Sequence, residues 1–162
     1  VFRFASIIGE KYPEHKFYFY GGSHLTNLAI EYSEKYKNVY HFGEFKNPDD
    51  LEDIYKNIDI VVACYDVEAL NEKIAEPNKL YESLYFKKPI IVTKNTFLAQ
   101  RVVDLKCGYL IEADVDSNIL NFLDQLCLKD INSIKSNISD IKLTEIIDDN
   151  SKKILEYIKL KI

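Results

Sequence analysis

Two side chains of opposite charge, Lys79 and Glu82, stand three residues apart in the segment EPNKLYESLYFKKPIIVTK at 76–94. At that spacing they share one face of a helix. Pro77 reads as the helix opening, where its missing N–H is not needed and its fixed φ is already helical, and Asn78 follows it. The free backbone N–H groups and positive dipole end of such a helix make an anion site, to which Lys79 adds a full charge. A diphosphate is the natural occupant. The Glu82 carboxylate, one turn deeper, disfavours phosphate and instead accepts hydrogen bonds from hydroxyls, such as those of a ribose diol. The plainer alternative is an exposed ion pair worth only a few tenths of a kcal/mol.

The elements around this pair follow from periodicity. Leu80 and Leu84, four apart, mark the inward face of the helix. Lys87 and Lys88 suit its negative end, and Pro89 blocks continuation. Ile90, Ile91 and Val92 form a short apolar run expected of a strand covered on both faces. Further strands are expected at 16–20, 38–42, 58–64 and 109–112. Helices are expected at 1–10, from a Ser23 cap to about Tyr36, from Asp49 or Asp50 through Tyr55, at 97–105 and at 118–128. Ile131, Ile134 and Ile138 recur at helical intervals, and a last helix is expected at about 149–161.

Strands alternating with helices imply βαβ units, hence a parallel sheet with helices on both faces. The fold class is α/β, a Rossmann-like parallel sheet in a single domain over 1–162. Ligands of such open sheets sit beyond the carboxyl ends of the strands. Gly21-Gly22-Ser23 and the segments 43–46, 65–76 and 93–97 all meet that edge. A Rossmann-like half leads with a strand and a glycine-rich turn. Here the first expected element is a helix, so that first strand is missing from the sequence.

The P-N-K-L-Y-E segment followed by K-P-I-I resembles the C-terminal, nucleotide-sugar-binding half of the GT-B glycosyltransferases, in particular the family 4-like retaining enzymes. The resemblance implies a donor domain that binds a nucleotide-diphosphate sugar, with UDP-sugars and polysaccharide biosynthesis as the expected setting. It assigns the diphosphate to Lys79, Asn78 and Pro77 at the helix start, and the ribose to Glu82. Gly43, Glu44 and Phe45 match the loop that holds the base by backbone contacts, with Phe45 free to stack, and Gly22 lies at the same edge. The sugar or lipid-linked acceptor would be held by an N-terminal domain, so the chain alone would bind donor without turnover. The helix at 149–161 would pack toward that domain. Many family members carry Glu, seven residues, then Glu; the first position here is Ile74, which leaves the catalytic residues and the stereochemical outcome unassigned. Glu68, Glu72 and Glu76 could replace it only along a different loop path. No cofactor and no metal are expected, because positive charge and the helix end neutralise the leaving group.

Composition bounds the alternatives. With 162 residues, 47% hydrophobic and 29% charged, this is ordinary globular sequence. No apolar run reaches the ~18 residues of a membrane span, and no signal peptide opens the chain. Peripheral membrane association of the full-length protein stays open. Cys64, Cys107 and Cys127 lack zinc-site spacing and read as reduced, buried thiols of a cytoplasmic protein. A net charge of −5 argues against a nucleic-acid partner. Gly21-Gly22 lacks G-x-G-x-x-G and is more simply a turn. His15, His24 and His41 are scattered, and Tyr81 and Tyr85 read as packing. Rival functions are a GT-B-shaped nucleotide-sugar epimerase and a degenerate or partner-requiring nucleotide-binding subunit.

Overall fold

Among the described residues strands and helices alternate up to residue 125, and further helices follow. The computed structural model describes residues 1–65, 73–146 and 157–158. In order they form α1 (Phe2–Lys11), β1 (Phe17–Phe19), α2 (Thr26–Lys35), β2 (Val39–His41), α3 (Leu51–Lys56), β3 (Val61–Ala63), α4 (Asn78–Tyr85), β4 (Ile90–Thr93), α5 (Phe97–Leu105), β5 (Gly108–Ile111), α6 (Asp116–Gln125), α7 (Leu128–Asp140) and α8 (Leu143–Ile146). Residues 73–74 and 157–158 are also helical. The rest of the helix expected at 149–161 lies outside the described residues.

Among the described residues every strand pairing is parallel: Phe17 opposite Val39, Val61 opposite Ile90, and Ile90 opposite Gly108. The strands group as β1–β2 and β3–β4–β5. Among the described residues β1 pairs only with β2, and β3 only with β4. Residues of both β1 and β3 line one cavity of about 890 Å³. It is lined from His15, Lys16 and Ile58, before the two strands, to Gly21, Gly22 and Tyr65, after them. In a doubly wound sheet of order 3-2-1-4-5-6, the place between these two groups belongs to the leading strand.

Side chains of a strand alternate between faces, and β4 uses the alternation fully, since all four of its residues are buried. Ile90 and Val92 join a core with Leu51, Tyr55, Leu80, Leu84, Leu98, Val102 and Ile138, from α3, α4, α5 and α7. Ile91 joins the opposite core with Phe4, Ile8, Phe17, Ile111, Ile119 and Leu123, from α1 and α6 as well as β1 and β5. The expected Rossmann-like α/β architecture, with helices on both faces, is what forms.

Local details differ from expectation where a backbone turn decides the outcome. Pro77 is the N-cap of α4, in extended backbone with ψ 152°, so Asn78 is the first helical residue. The far end of α4 is a Schellman turn: Lys88 N–H donates to Ser83 O at 2.7 Å and Lys87 N–H to Leu84 O at 3.2 Å, with Lys87 at φ +56°. Lys87 and Lys88 therefore build the stop itself, and Lys88 Nζ donates to Ile58 O at 2.7 Å. Ser23 does not cap α2. Leu25 holds that position, and Ser23 instead accepts from Leu25 N–H in a turn ahead of the helix. Cys127 is exposed, unlike buried Cys64 and Cys107.

Two predictions follow from the packing. A Cβ at Gly108 would overlap the Ile90 carbonyl oxygen across the β4–β5 pairing. Gly108→Ala should cost ~1–3 kcal/mol, the scale of core overpacking, measured by urea unfolding; a neutral result would mean that the two strands part readily. Burial pushes the Cys64 and Cys107 thiols up to about 11, so both stay protonated at pH 8. Of the three cysteines, Cys127 alone should react promptly with a disulfide reagent in the native state, and all three in denaturant.

Candidate functional site

The loops that follow β1 and β2 are tied together at the carboxyl ends of their strands. Phe42 N–H donates to Phe19 O at 3.0 Å, and Gly21 N–H to Gly43 O at 2.7 Å. Gly21 and Gly43 adopt φ +103° and +73°, a region that favours glycine. The side chains of the second loop lie over the first. A Cβ on Gly22 would stand 3.1 Å from Glu44 Oε1, and one on Gly21 would stand 3.7 Å from the Phe45 ring. Gly22 and Phe45 both line the cavity.

Helix α4 brings the charged pair to the same place. Leu80, fully buried, and Leu84 fasten its inner face, and the exposed Lys79 and half-buried Glu82 line the cavity together with Gly22 and Phe45. The remaining candidates border it: Pro77 and Asn78 form the turn ahead of Lys79, and Gly43 and Glu44 contact Gly21 and Gly22. The resulting wall offers a lysine beside the N-terminus of an eight-residue helix, a carboxylate one turn deeper, and an aromatic ring on the neighbouring loop. Cation and helix end suit an anion; the carboxylate suits hydroxyl donors.

Glu82 has a partner that local spacing did not suggest. The Tyr55 hydroxyl donates to Glu82 Oε2 at 2.8 Å. The Tyr55 ring stacks on Phe86, with centroids 4.6 Å apart and planes 12° from parallel. Burial, then the hydrogen bond to Glu82, then the carboxylate's charge push the Tyr55 hydroxyl well above its ordinary range, so it stays protonated and donating. Periodicity places Tyr55 on the inner face of α3, but nothing local connects it with a residue 27 positions on.

The stretch ahead of α4 is committed elsewhere. Glu76 Oε1 accepts from Arg101 Nε at 2.9 Å. Burial, followed by a hydrogen bond to the same Glu76, raises the Tyr81 hydroxyl. Ile74 is 60% exposed. Glu68 and Glu72 lie outside the described residues. Segment 93–97 serves structure: Thr93 Oγ1 donates to Tyr65 O at 3.0 Å, and Thr96 caps α5 by accepting from Ala99 N–H at 3.0 Å. None of its residues lines the cavity, although the sequence placed it at the same sheet edge. His41, one of the scattered histidines, lines the cavity with its Nε2 buried and unpartnered among the described residues.

A family model described as "Glycosyl transferases group 1" matches residues 2–137. Among solved structures, the crystal structure of TarM superposes with a TM-score of 0.60 at 20% sequence identity. That match covers 95% of this chain and 30% of TarM, so the chain spans about a third of the length of that relative. No curated protein matches in sequence.

Proposed function

The chain belongs to the glycosyl transferases group 1 family, and we propose that it is the donor-binding domain of a GT-B glycosyltransferase, holding a nucleoside-diphosphate sugar for transfer to an acceptor. One observation carries the reading: Lys79, at the start of α4, and Glu82, one turn on, line one cavity with Gly22 and Phe45 at the carboxyl edge of the sheet. When the bond from sugar to diphosphate breaks, negative charge grows on the leaving group, and prearranged positive charge lowers the barrier. Lys79 and the free N–H groups of α4 supply that charge from the chain itself. Glu82 accepts from the ribose hydroxyls. The backbone around Gly43 and the Phe45 ring hold the base. The acceptor belongs to another part of the whole protein, so this chain alone binds donor without turning it over.

A second reading, a nucleotide-binding subunit without transferase activity, draws on Ile74 and on the engagement of Glu76 by Arg101. It predicts donor nucleotide binding without sugar discrimination, and no transfer by the whole protein. Among the described residues no helix is long and apolar enough to cross a membrane.

Calorimetric titration of two variants tests the donor site. Lys79→Ala should weaken binding of a nucleoside diphosphate far more than of the bare nucleoside. Glu82→Gln should weaken both, by ~1–3 kcal/mol, the scale of a hydrogen bond to a charged group. Equal losses for Lys79→Ala, or unchanged affinity for Glu82→Gln, would sink the assignment of that residue.

A further inference from the structure

We propose that Tyr55 is the positioning residue of the hydroxyl-recognition site, holding the Glu82 carboxylate so that its Oε1 faces the ligand. The inference rests on the donor-site reading above. Glu82 and Phe86 are four residues apart and therefore neighbours on one face of the α4 segment. Tyr55 spans both: its ring stacks on Phe86 and its hydroxyl reaches Glu82 Oε2 at 2.8 Å. Tyr55 is only 5% exposed, within the core that also buries Leu51, Leu80 and Leu84. Its hydroxyl therefore has little freedom to move, and the carboxylate it holds has little freedom either.

The consequence for recognition is stereochemical. A free glutamate has three rotatable bonds, and each rotamer points its oxygens elsewhere. A carboxylate that accepts one O–H at Oε2 keeps the second lone pair of that oxygen and both of Oε1. Tyr55, Glu82 and Lys79 line the same cavity, so the held carboxylate stands beside the anion end of the site. Two adjacent hydroxyls on a ligand anchored by its phosphates would meet an acceptor already oriented, without the entropic cost of ordering it on binding. Phosphate recognition at Lys79 and hydroxyl recognition at Glu82 are thereby separable, and Tyr55 serves the second alone.

The test compares a ribonucleoside diphosphate with its 2′,3′-dideoxy analogue, the affinity ratio being the readout. The wild-type chain should favour the ribo compound by roughly tenfold or more, the equivalent of losing a hydrogen bond to a charged group. Glu82→Gln should collapse the ratio. Tyr55→Phe keeps the ring on Phe86 and removes only the hydroxyl; it should cut the ratio at least threefold and leave affinity for the dideoxy compound unchanged. A merely structural Tyr55 would lower the melting temperature of the variant and leave the ratio intact, which would overturn the inference while the donor site stands. A wild-type ratio near one, or no effect of Glu82→Gln, would overturn the reading of Glu82 and this inference with it. Should Tyr55→Phe not fold, Phe86→Leu removes the ring that supports Tyr55; it should reduce the ratio in the same direction, and an unchanged ratio would equally overturn the inference.

Discussion

The burial of Leu80 and Leu84 against the β3–β4 sheet is the interaction on which the site depends. A helix turns once in ~3.6 residues, so fixing two side chains four apart fixes the rotation of the whole element. Once Leu80 and Leu84 point into the core, Lys79 and Glu82 cannot point there, and both line the cavity. The ends of α4 set its translation: Pro77, in extended backbone, starts it, and the Schellman turn at Lys87 and Lys88 stops it directly before β4. The position of two charged side chains is thus decided by apolar packing and by two backbone turns, with their own charges contributing little.

The same economy governs the sheet. β4 is buried on both faces and separates two cores, which forces helices to both sides and leaves the carboxyl ends of the strands as the edge where loops gather. At that edge polar groups fall into two kinds. Some are consumed by the fold, such as Thr93 on the Tyr65 carbonyl and Glu76 on Arg101. Others, Lys79 and Glu82, line the cavity. That division matches a site for a charged, hydroxyl-bearing ligand: of Glu76 and Glu82, only Glu82 lines the cavity.

Legibility in the sequence followed the range of the interaction. Helix α5 was expected at 97–105 and forms over Phe97–Leu105, because Thr96 offers a cap and the stop at its end is local. The strand of Ile90, Ile91 and Val92 was equally plain, since a β-branched run between Pro89 and Thr93 has few other uses. The joint placement of Lys79 and Glu82 needed only helical spacing. The misses are contacts between distant segments. Tyr55 on Glu82 and Arg101 on Glu76 join residues 27 and 25 apart, and periodicity reports which face is inward but not which neighbour waits there. Ser23 was misjudged because a serine before a helix can cap it or turn ahead of it, and the two look alike in one dimension. Cys127 was misjudged because its apolar neighbours belong to the exposed turn between α6 and α7.

The central claim is that this fold presents a nucleoside-diphosphate site, and a thermal-shift panel addresses it most directly. This chain and the whole protein would each be heated with UDP, GDP, ADP and CMP and with the corresponding sugar nucleotides. Ligand at ~100 times its dissociation constant stabilises a folded protein by about 2.7 kcal/mol. The account predicts a clear upward shift with one nucleoside diphosphate and its sugars, which would also name the base. No shift with any nucleotide, in either the chain or the whole protein, would contradict it.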